Sequence, residues 1–171
     1  MEHRSLPLEE HVYEEKVSSI KTMRLFLALT ALFSLLFIWR LKAIGSEVLT
    51  IIFFSFFVFF LFNSINYRIL SIRLFADSLK LDFGIFTRTI LLENIADCKL
   101  DKLPLGVRIG GAGIHFMFVR GRYRISFNFL EHPRVVILLK HKSGLVQDVS
   151  FSTRQPEVII YLIRNALLKS Q

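Results

Sequence analysis

Two long apolar runs, separated by only eight residues, constrain this chain more than any other feature of its sequence. Leu25–Trp39 and Val48–Tyr67 contain no charged residue. An apolar stretch of about 18 or more residues is typical of a transmembrane helix. The second run reaches that length, and the first does so when Met23 and the snorkelling of Arg24 and Arg40 are counted. The sequence therefore predicts a transmembrane helical hairpin, with spans of about 23–40 and 47–66.

A buried helical pair and a cleaved signal peptide both fit the apolar runs less well. A helical pair buried in a soluble protein would show a polar stripe, whereas Phe53–Phe62 contains Ser55 as its single polar residue. A cleaved signal peptide would follow a short basic leader, whereas this leader is long and rich in Glu. We therefore expect two membrane spans.

The charges are distributed unevenly along the chain. Up to Asn66 the Lys and Arg residues balance the Glu residues, so the net charge of +8 belongs to the part that follows. Basic residues flank the outer ends of both spans, which predicts cytoplasmic termini and an external loop in a multi-pass protein of the cell membrane. The lone Cys98 fits a reducing compartment, since one cysteine makes no internal disulfide. A basic domain beside a bilayer favours an anionic partner.

This pattern divides the chain into three parts. Residues 1–21 are a cytoplasmic leader, residues 22–66 the hairpin, and residues 67–171 a cytoplasmic domain large enough for one core. The leader is predicted to be partly helical, because Ser5 suits a cap and Tyr13, Val17 and Ile20 share a helical face. An interfacial helix and a plain extension into the first span both remain open.

After the hairpin the hydrophobic period changes to two, which is typical of strands. In Arg120–Phe129 the odd-numbered residues from Tyr123 onward form an apolar face, and Arg122, Arg124, Ser126 and Asn128 form a polar one. Seven or eight short strands in antiparallel succession are expected. A C-terminal helix follows, with Pro156 in its first turn and an apolar stripe beginning at Ile159.

Strands of this kind, closed by one amphipathic helix, resemble the pleckstrin-homology (PH) superfold. The segments Asp77–Phe86, Ile90–Ile95 and Ser152–Glu157 are similar to bacterial PH-like domain proteins that carry an N-terminal two-helix membrane hairpin. The implied fold is a membrane-anchored, mostly antiparallel β-domain of about seven strands with a C-terminal α-helix. The resemblance implies binding rather than catalysis. A more distant architectural resemblance, to the photosystem I assembly factor of plastids and cyanobacteria, leaves a role in complex assembly open.

Residues suited to catalysis or metal binding are scattered. The five His residues show no HxxxH or HExxH spacing, and Cys98 with two nearby Asp residues is a poor zinc set. Gly110–Gly113, beside Arg108, is the one stretch similar to a phosphate loop, but a strand pattern rather than a helix follows it. We expect no catalytic residue, metal or cofactor, and a protein that is not an enzyme.

The basic residues on the strands are the strongest candidates for a binding site. As contacts for anionic lipid or for a partner we select Arg88, Arg120, Arg122, Arg124, Lys140 and Lys142. An ordinary solvated face is the competing interpretation. Nucleic acid is disfavoured because Tyr123 and Phe127 are expected on the apolar face, away from any stacked base.

These observations predict a non-catalytic binding or scaffold module at the cytoplasmic face of a membrane. The expected partners are membrane lipids through the hairpin, anionic headgroups, and a membrane or cytoplasmic protein of unknown identity, with self-association open. The alternatives are an anionic-lipid sensor and, further away, a membrane-associated enzyme or an assembly factor for a membrane complex.

Overall fold

The computed structural model describes residues 11–42, 47–102 and 112–169, and these residues form nine strands and three α-helices. A 3-10 turn, Leu92–Asn94, joins the fourth strand to the fifth. The loop between the spans, the glycine-rich stretch up to Gly111 with Arg108, and Ser5 of the leader lie outside the described residues. In chain order the elements are β1 (Tyr13–Ser18), α1 (Ile20–Lys42), α2 (Glu47–Asn66), β2 (Ile69–Leu74), β3 (Ser78–Phe83), β4 (Phe86–Leu91), β5 (Ile95–Leu100), β6 (Gly113–Val119), β7 (Arg122–Asn128), β8 (Arg134–Ser143), β9 (Val146–Ser152) and α3 (Pro156–Lys169).

Helices α1 and α2 are long and apolar enough to cross a membrane. Only 17% and 6% of their most apolar 18-residue windows are buried inside the protein, so neither is a core helix. Their mutual contact is aromatic: the ring of Phe33 stacks on Phe56 and Phe60, with centroids 5.0 and 5.3 Å apart. The structure therefore confirms the two long apolar helices that the sequence predicted.

The β-strands form two sheets with different topologies. Strands β1-β2-β3-β4 pair in consecutive antiparallel order, whereas the five-stranded sheet has the order β5-β8-β9-β7-β6. Strand β9 lies between β8 and β7 and pairs with β7 in parallel, for example Ile125 with Val149. The strands are mostly antiparallel, as expected, but the expected antiparallel succession does not hold for this one pair. Strands that follow each other directly in the chain pair as antiparallel hairpins, as β8 and β9 do. Strand β9 also pairs with β7, which is not its neighbour in the chain, and that pair is parallel.

In the described part of the leader, Tyr13–Ser18 forms a strand, where the sequence predicted a helical face through Tyr13 and Val17. Strand β1 pairs with β2 from Tyr13 opposite Leu74 to Ser18 opposite Ile69. Residues spaced by two face the core, and Val17 is fully buried there. The β-domain is therefore not confined to residues 67–171, since one edge strand precedes the helical hairpin and the rest follow it.

The base of the hairpin is built into the core of the β-domain. Rings in van der Waals range run from α1 into the sheets, from Phe26 to Tyr67, Phe83 and Phe129, with centroids 4.9–6.1 Å apart. Thr22 is fully buried, and its hydroxyl accepts the Leu130 N–H at 3.3 Å. The hairpin and the β-domain therefore share one packed junction.

Glu15 on β1 binds the start of α3. Its carboxylate accepts the Arg154 N–H at 2.8 Å, the Thr153 hydroxyl at 2.5 Å and the Tyr13 hydroxyl at 3.0 Å. Thr153 in turn accepts the Gln155 N–H at 3.0 Å, immediately before the first residue of α3. A carboxylate at this end of a helix also complements the helix dipole. Glu15 thus fastens the leader strand to the C-terminal helix.

Replacing Glu15 by Ala is expected to lower the stability of the β-domain by about 1–2 kcal/mol, because it removes the shared acceptor of the α3 terminus. Glu14 on the same strand provides the matched control, since it is exposed and pairs only with surface groups such as Lys16. Thermal unfolding of the detergent-solubilised chain measures both. Equal melting temperatures for the Glu14→Ala and Glu15→Ala proteins would contradict the assigned role.

Candidate functional site

The hairpin meets the β-domain at one end, which gives the domain a proximal and a distal end. Leu130, just after β7, bonds to Thr22 of α1. At the start of β6, a Cβ built on Gly113 would lie 2.9 Å from the Tyr67 ring. The Ser18–Ile69 pair adjoins both helices. We call this the proximal end, and the opposite ends of the same strands form the distal end.

Most of the predicted basic residues lie at the distal end. Strand β7 runs from Arg122 at the distal end to Asn128 at the proximal end, a length of about 20 Å at 3.3 Å per residue. Strand β8 rises from Arg134 to Ser143, about 30 Å by the same measure. The distal turns therefore bring together Arg120, Arg122, Lys140 and Lys142. Arg88 does not join them, because it lies on β4 of the other sheet.

A groove of about 390 Å³ lies at the distal ends of β7, β8 and β9 and is lined by residues of all three strands. Neither Lys140 nor Lys142 forms an ion pair with another described residue, and both are exposed. Arg122 is held in place, since its Nε donates to Asp148 at 2.7 Å and its terminal nitrogen to the Gln147 carbonyl at 3.1 Å. The residues that line this distal groove are Arg122, Leu139, Lys140, His141, Lys142 and Gln147.

The groove forms where regular pairing between β8 and β9 is interrupted near the distal end of β8. The ladder shifts register between the Leu138–Asp148 pair and the Ser143–Val146 pair, so β8 has extra residues there. The Asn94 side chain holds this bulged segment by two hydrogen bonds to the His141 backbone: it donates to the carbonyl at 3.1 Å and accepts the N–H at 2.8 Å. Bulges of this kind redirect side chains, and here they direct the lysines outward.

A cleft of about 480 Å³ joins the distal groove at Arg122. It lies on the face of the five-stranded sheet that is turned away from the main core. Its lining includes Lys99, Lys102 and Arg120 in addition to the groove's own arginine. Groove and cleft together carry seven Lys or Arg side chains against two carboxylates, an excess of five positive charges. This is a concentrated basic surface, and charges of one sign in a cleft strengthen the attraction of an anion.

Arg124 is not an exposed contact, which corrects its selection as a site residue. Its side chain is 8% exposed and lies 3.3 Å from Asp101 and 3.4 Å from Asp148. Both carboxylates are buried as well. The predicted solvent face of β7 is therefore largely buried: Ser126 bonds to Ser150 at 2.8 Å, and Asn128 is fully enclosed. Tyr123 on the predicted core face is instead 45% exposed.

Sequence reasoning missed the acidic partners and two of the lysines. Asp148 alternates with Val149 and Phe151 along β9, so it belongs visibly to a polar strand face. Lys99 on β5 and Asp101 directly after it alternate with Cys98 and Leu100 in the same way. That alternation was available in the sequence, but the adjacency of β5, β8, β9 and β7 was not.

Two titratable groups near this sheet are shifted towards their neutral forms. Burial raises the pKa of the Cys98 thiol to about 12, with the Asp97 charge adding to the effect. Burial, and then the charge of Arg134, lowers the pKa of His115. Among the described residues no three His, Cys, Asp or Glu side chains gather as a metal site. No protein-family model matches the chain, and no curated protein matches it significantly.

Proposed function

We propose that the chain is an integral membrane protein whose two-helix hairpin carries a PH-like binding domain at the cytoplasmic face, and that the distal groove binds an acidic segment of a partner protein. The role is non-catalytic: the domain holds its partner near the membrane. Both termini are cytoplasmic in this proposal, because basic residues flank the proximal ends of the helices. The uncovered apolar surface of α1 and α2 supports the membrane anchor.

The observation that carries the proposal is the position of the basic groove at the end of the domain opposite the hairpin. Strands β7 and β8 separate it from the hairpin junction by about 20–30 Å. Electrostatic attraction to a charged surface decays over about 8 Å at physiological ionic strength. The groove therefore lies at the ends of the strands remote from the hairpin junction, which disfavours the lipid-sensing alternative.

The chemistry of the groove favours carboxylates on an extended or loop segment. Arg122 is preoriented by its bonds to Asp148 and Gln147, and a guanidinium held in this way offers its remaining donors at fixed positions. The adjacent lysines add unpaired, mobile charges. Shape and charge together suit a short acidic stretch that crosses β8, with one carboxylate at the arginine and others at Lys140 and Lys142.

We expect a labelled Glu-rich decapeptide to bind the full-length protein in neutral-lipid nanodiscs, with an affinity that falls as salt is added. The double change Lys140→Gln/Lys142→Gln removes two of the unpaired charges from the groove. It is expected to raise the Kd about tenfold, which corresponds to about 1.4 kcal/mol. Fluorescence anisotropy measures this change.

The matched control is Lys16→Gln/Lys80→Gln, which removes the same charge from the four-stranded sheet. This variant is expected to bind the peptide as the parent does. Equal losses in both variants would reduce the effect to net charge and overturn the groove. Displacement of the peptide by anionic lipid in the same nanodisc would favour the lipid-sensing alternative.

A further inference from the structure

The turn between β3 and β4, beside the hairpin, exposes two large apolar side chains. Ile85 at its tip is 71% exposed and Phe86, the first residue of β4, is 41% exposed. Ile65 near the end of α2 and Ile69 at the start of β2 are also more than half exposed. All four lie near the C-terminal end of α2, two of them along the chain and two through the close approach of Gly84 to Asn66, and we call them the apolar surface.

Close contacts with α2 fix the height of this turn. Gly84 approaches the last residue of α2 so closely that a Cβ on it would lie 2.5 Å from the Asn66 carbonyl oxygen. The Phe86 ring lies 6.5 Å from the Tyr67 ring, and Phe83 packs on the same tyrosine at 4.9 Å. The turn therefore lies level with the C-terminal end of α2.

The length of α2 places that level at the surface of a membrane. Its 20 residues rise by about 30 Å, which matches the hydrocarbon thickness of a bilayer. Arg68, exposed just beyond the helix, donates to the Ser64 carbonyl at 3.2 Å and supplies a charge of the kind found at interfaces. A turn at the level of Asn66 therefore lies in the boundary between acyl chains and headgroups.

We propose that Ile85 and Phe86 enter this boundary of the bilayer that the hairpin crosses, and form a third membrane contact that is not helical. The occupant of the apolar surface is lipid, because α2 exposes apolar side chains up to Ile65 and its last residue, Asn66, contacts this turn at Gly84. This contact sets the tilt of the β-domain and keeps the distal groove turned outward. The inference rests on the proposed membrane hairpin.

The test is fluorescence quenching by lipids brominated near the headgroup end of the acyl chains, with full-length protein in vesicles. Trp39 is the chain's single Trp and lies near the far end of α1, so it reports hairpin insertion. In a Trp39→Phe background, Ile85→Trp and, separately, Phe86→Trp report the turn. Leu145→Trp is the matched control, because it follows Gly144 in an equivalent distal turn and is 74% exposed.

We expect strong quenching of Trp39 and of both probes in the β3–β4 turn, and at least threefold weaker quenching at position 145. If Trp39 is quenched while both turn probes behave like position 145, the third contact is overturned and the hairpin stands. If Trp39 is not quenched, the membrane hairpin and this inference fail together.

Discussion

Replacing Asp148 by Asn is expected to destabilise the β-domain by about 3 kcal/mol, because one carboxylate neutralises two guanidinium groups in and beside a buried site. Asp148 and Arg124 are 2% and 8% exposed at their side chains. The Arg122 side chain is 40% exposed, so water screens its ion pair with Asp148. We therefore take the lower end of the range of stability losses that is usual when a buried ion pair is broken. Asp101 retains one contact with Arg124 and limits the loss.

Thermal unfolding of the solubilised chain measures this effect as a fall of about 6–12 °C in Tm. Asp77→Asn is the control, because Asp77 is exposed and bonds only to Ser78 through its side chain. Replacing Asp101, Arg124 and Asp148 together by Leu, Met and Leu is expected to recover most of the loss, since no unpaired buried charge then remains. A Tm of the Asp148→Asn protein within 1 °C of the parent would show that the network does not stabilise the sheet.

Gly84→Ala is the second change with a large expected effect. Gly84 has φ +63°, and a Cβ there would lie 2.5 Å from the Asn66 carbonyl oxygen and 2.9 Å from the Asn66 Cβ. Gly144 has nearly the same conformation, φ +62°, with nothing within 4 Å of its Cβ position. Both substitutions incur the left-handed conformational strain of about 1–2 kcal/mol. Only Gly84→Ala adds a clash with backbone atoms at the hairpin junction, about 1–3 kcal/mol more.

The difference between the two alanine variants isolates the contact between α2 and the β3–β4 turn. It is measured by chemical or thermal unfolding of the two proteins under one set of conditions. Equal destabilisation would mean that the turn moves away from Asn66 at no cost. That result would also weaken the argument that α2 sets the height of Ile85.

The sequence predicts those parts of the fold that depend on local pattern. Run length and lack of charge identified both helices of the hairpin, and the period of two identified strands such as β7. Strand β1 was missed because Tyr13 and Val17 satisfy both a helical spacing and a two-residue alternation. Its partner β2 lies beyond the whole hairpin, and such distant pairing overrides local propensity.

The candidate site was only partly predictable for a similar reason. Alternation separated Arg122 and Arg124 from Tyr123 correctly, but it does not tell which strand face is covered. The non-consecutive order of the five-stranded sheet places Asp148 and Asp101 beside Arg124 and turns a predicted surface cation into a buried one. Arg120, Lys140 and Lys142 remain at exposed distal turns, so their selection as contacts stays a prediction, which the peptide experiment tests for the two lysines.

We propose that the hairpin crosses a bilayer and that the basic groove lies far from it, and energy transfer from the protein to labelled lipids tests this most directly. A donor dye is attached to Lys142→Cys in one protein and to Arg68→Cys, at the end of α2, in another, each in vesicles with acceptor headgroups. Cys98 does not compete for the dye, because it is fully buried and burial raises its pKa to about 12. We predict strong transfer from position 68 and weak transfer from position 142, about 25 Å farther from the surface. Equal transfer from both positions would place the groove on the bilayer and contradict the account.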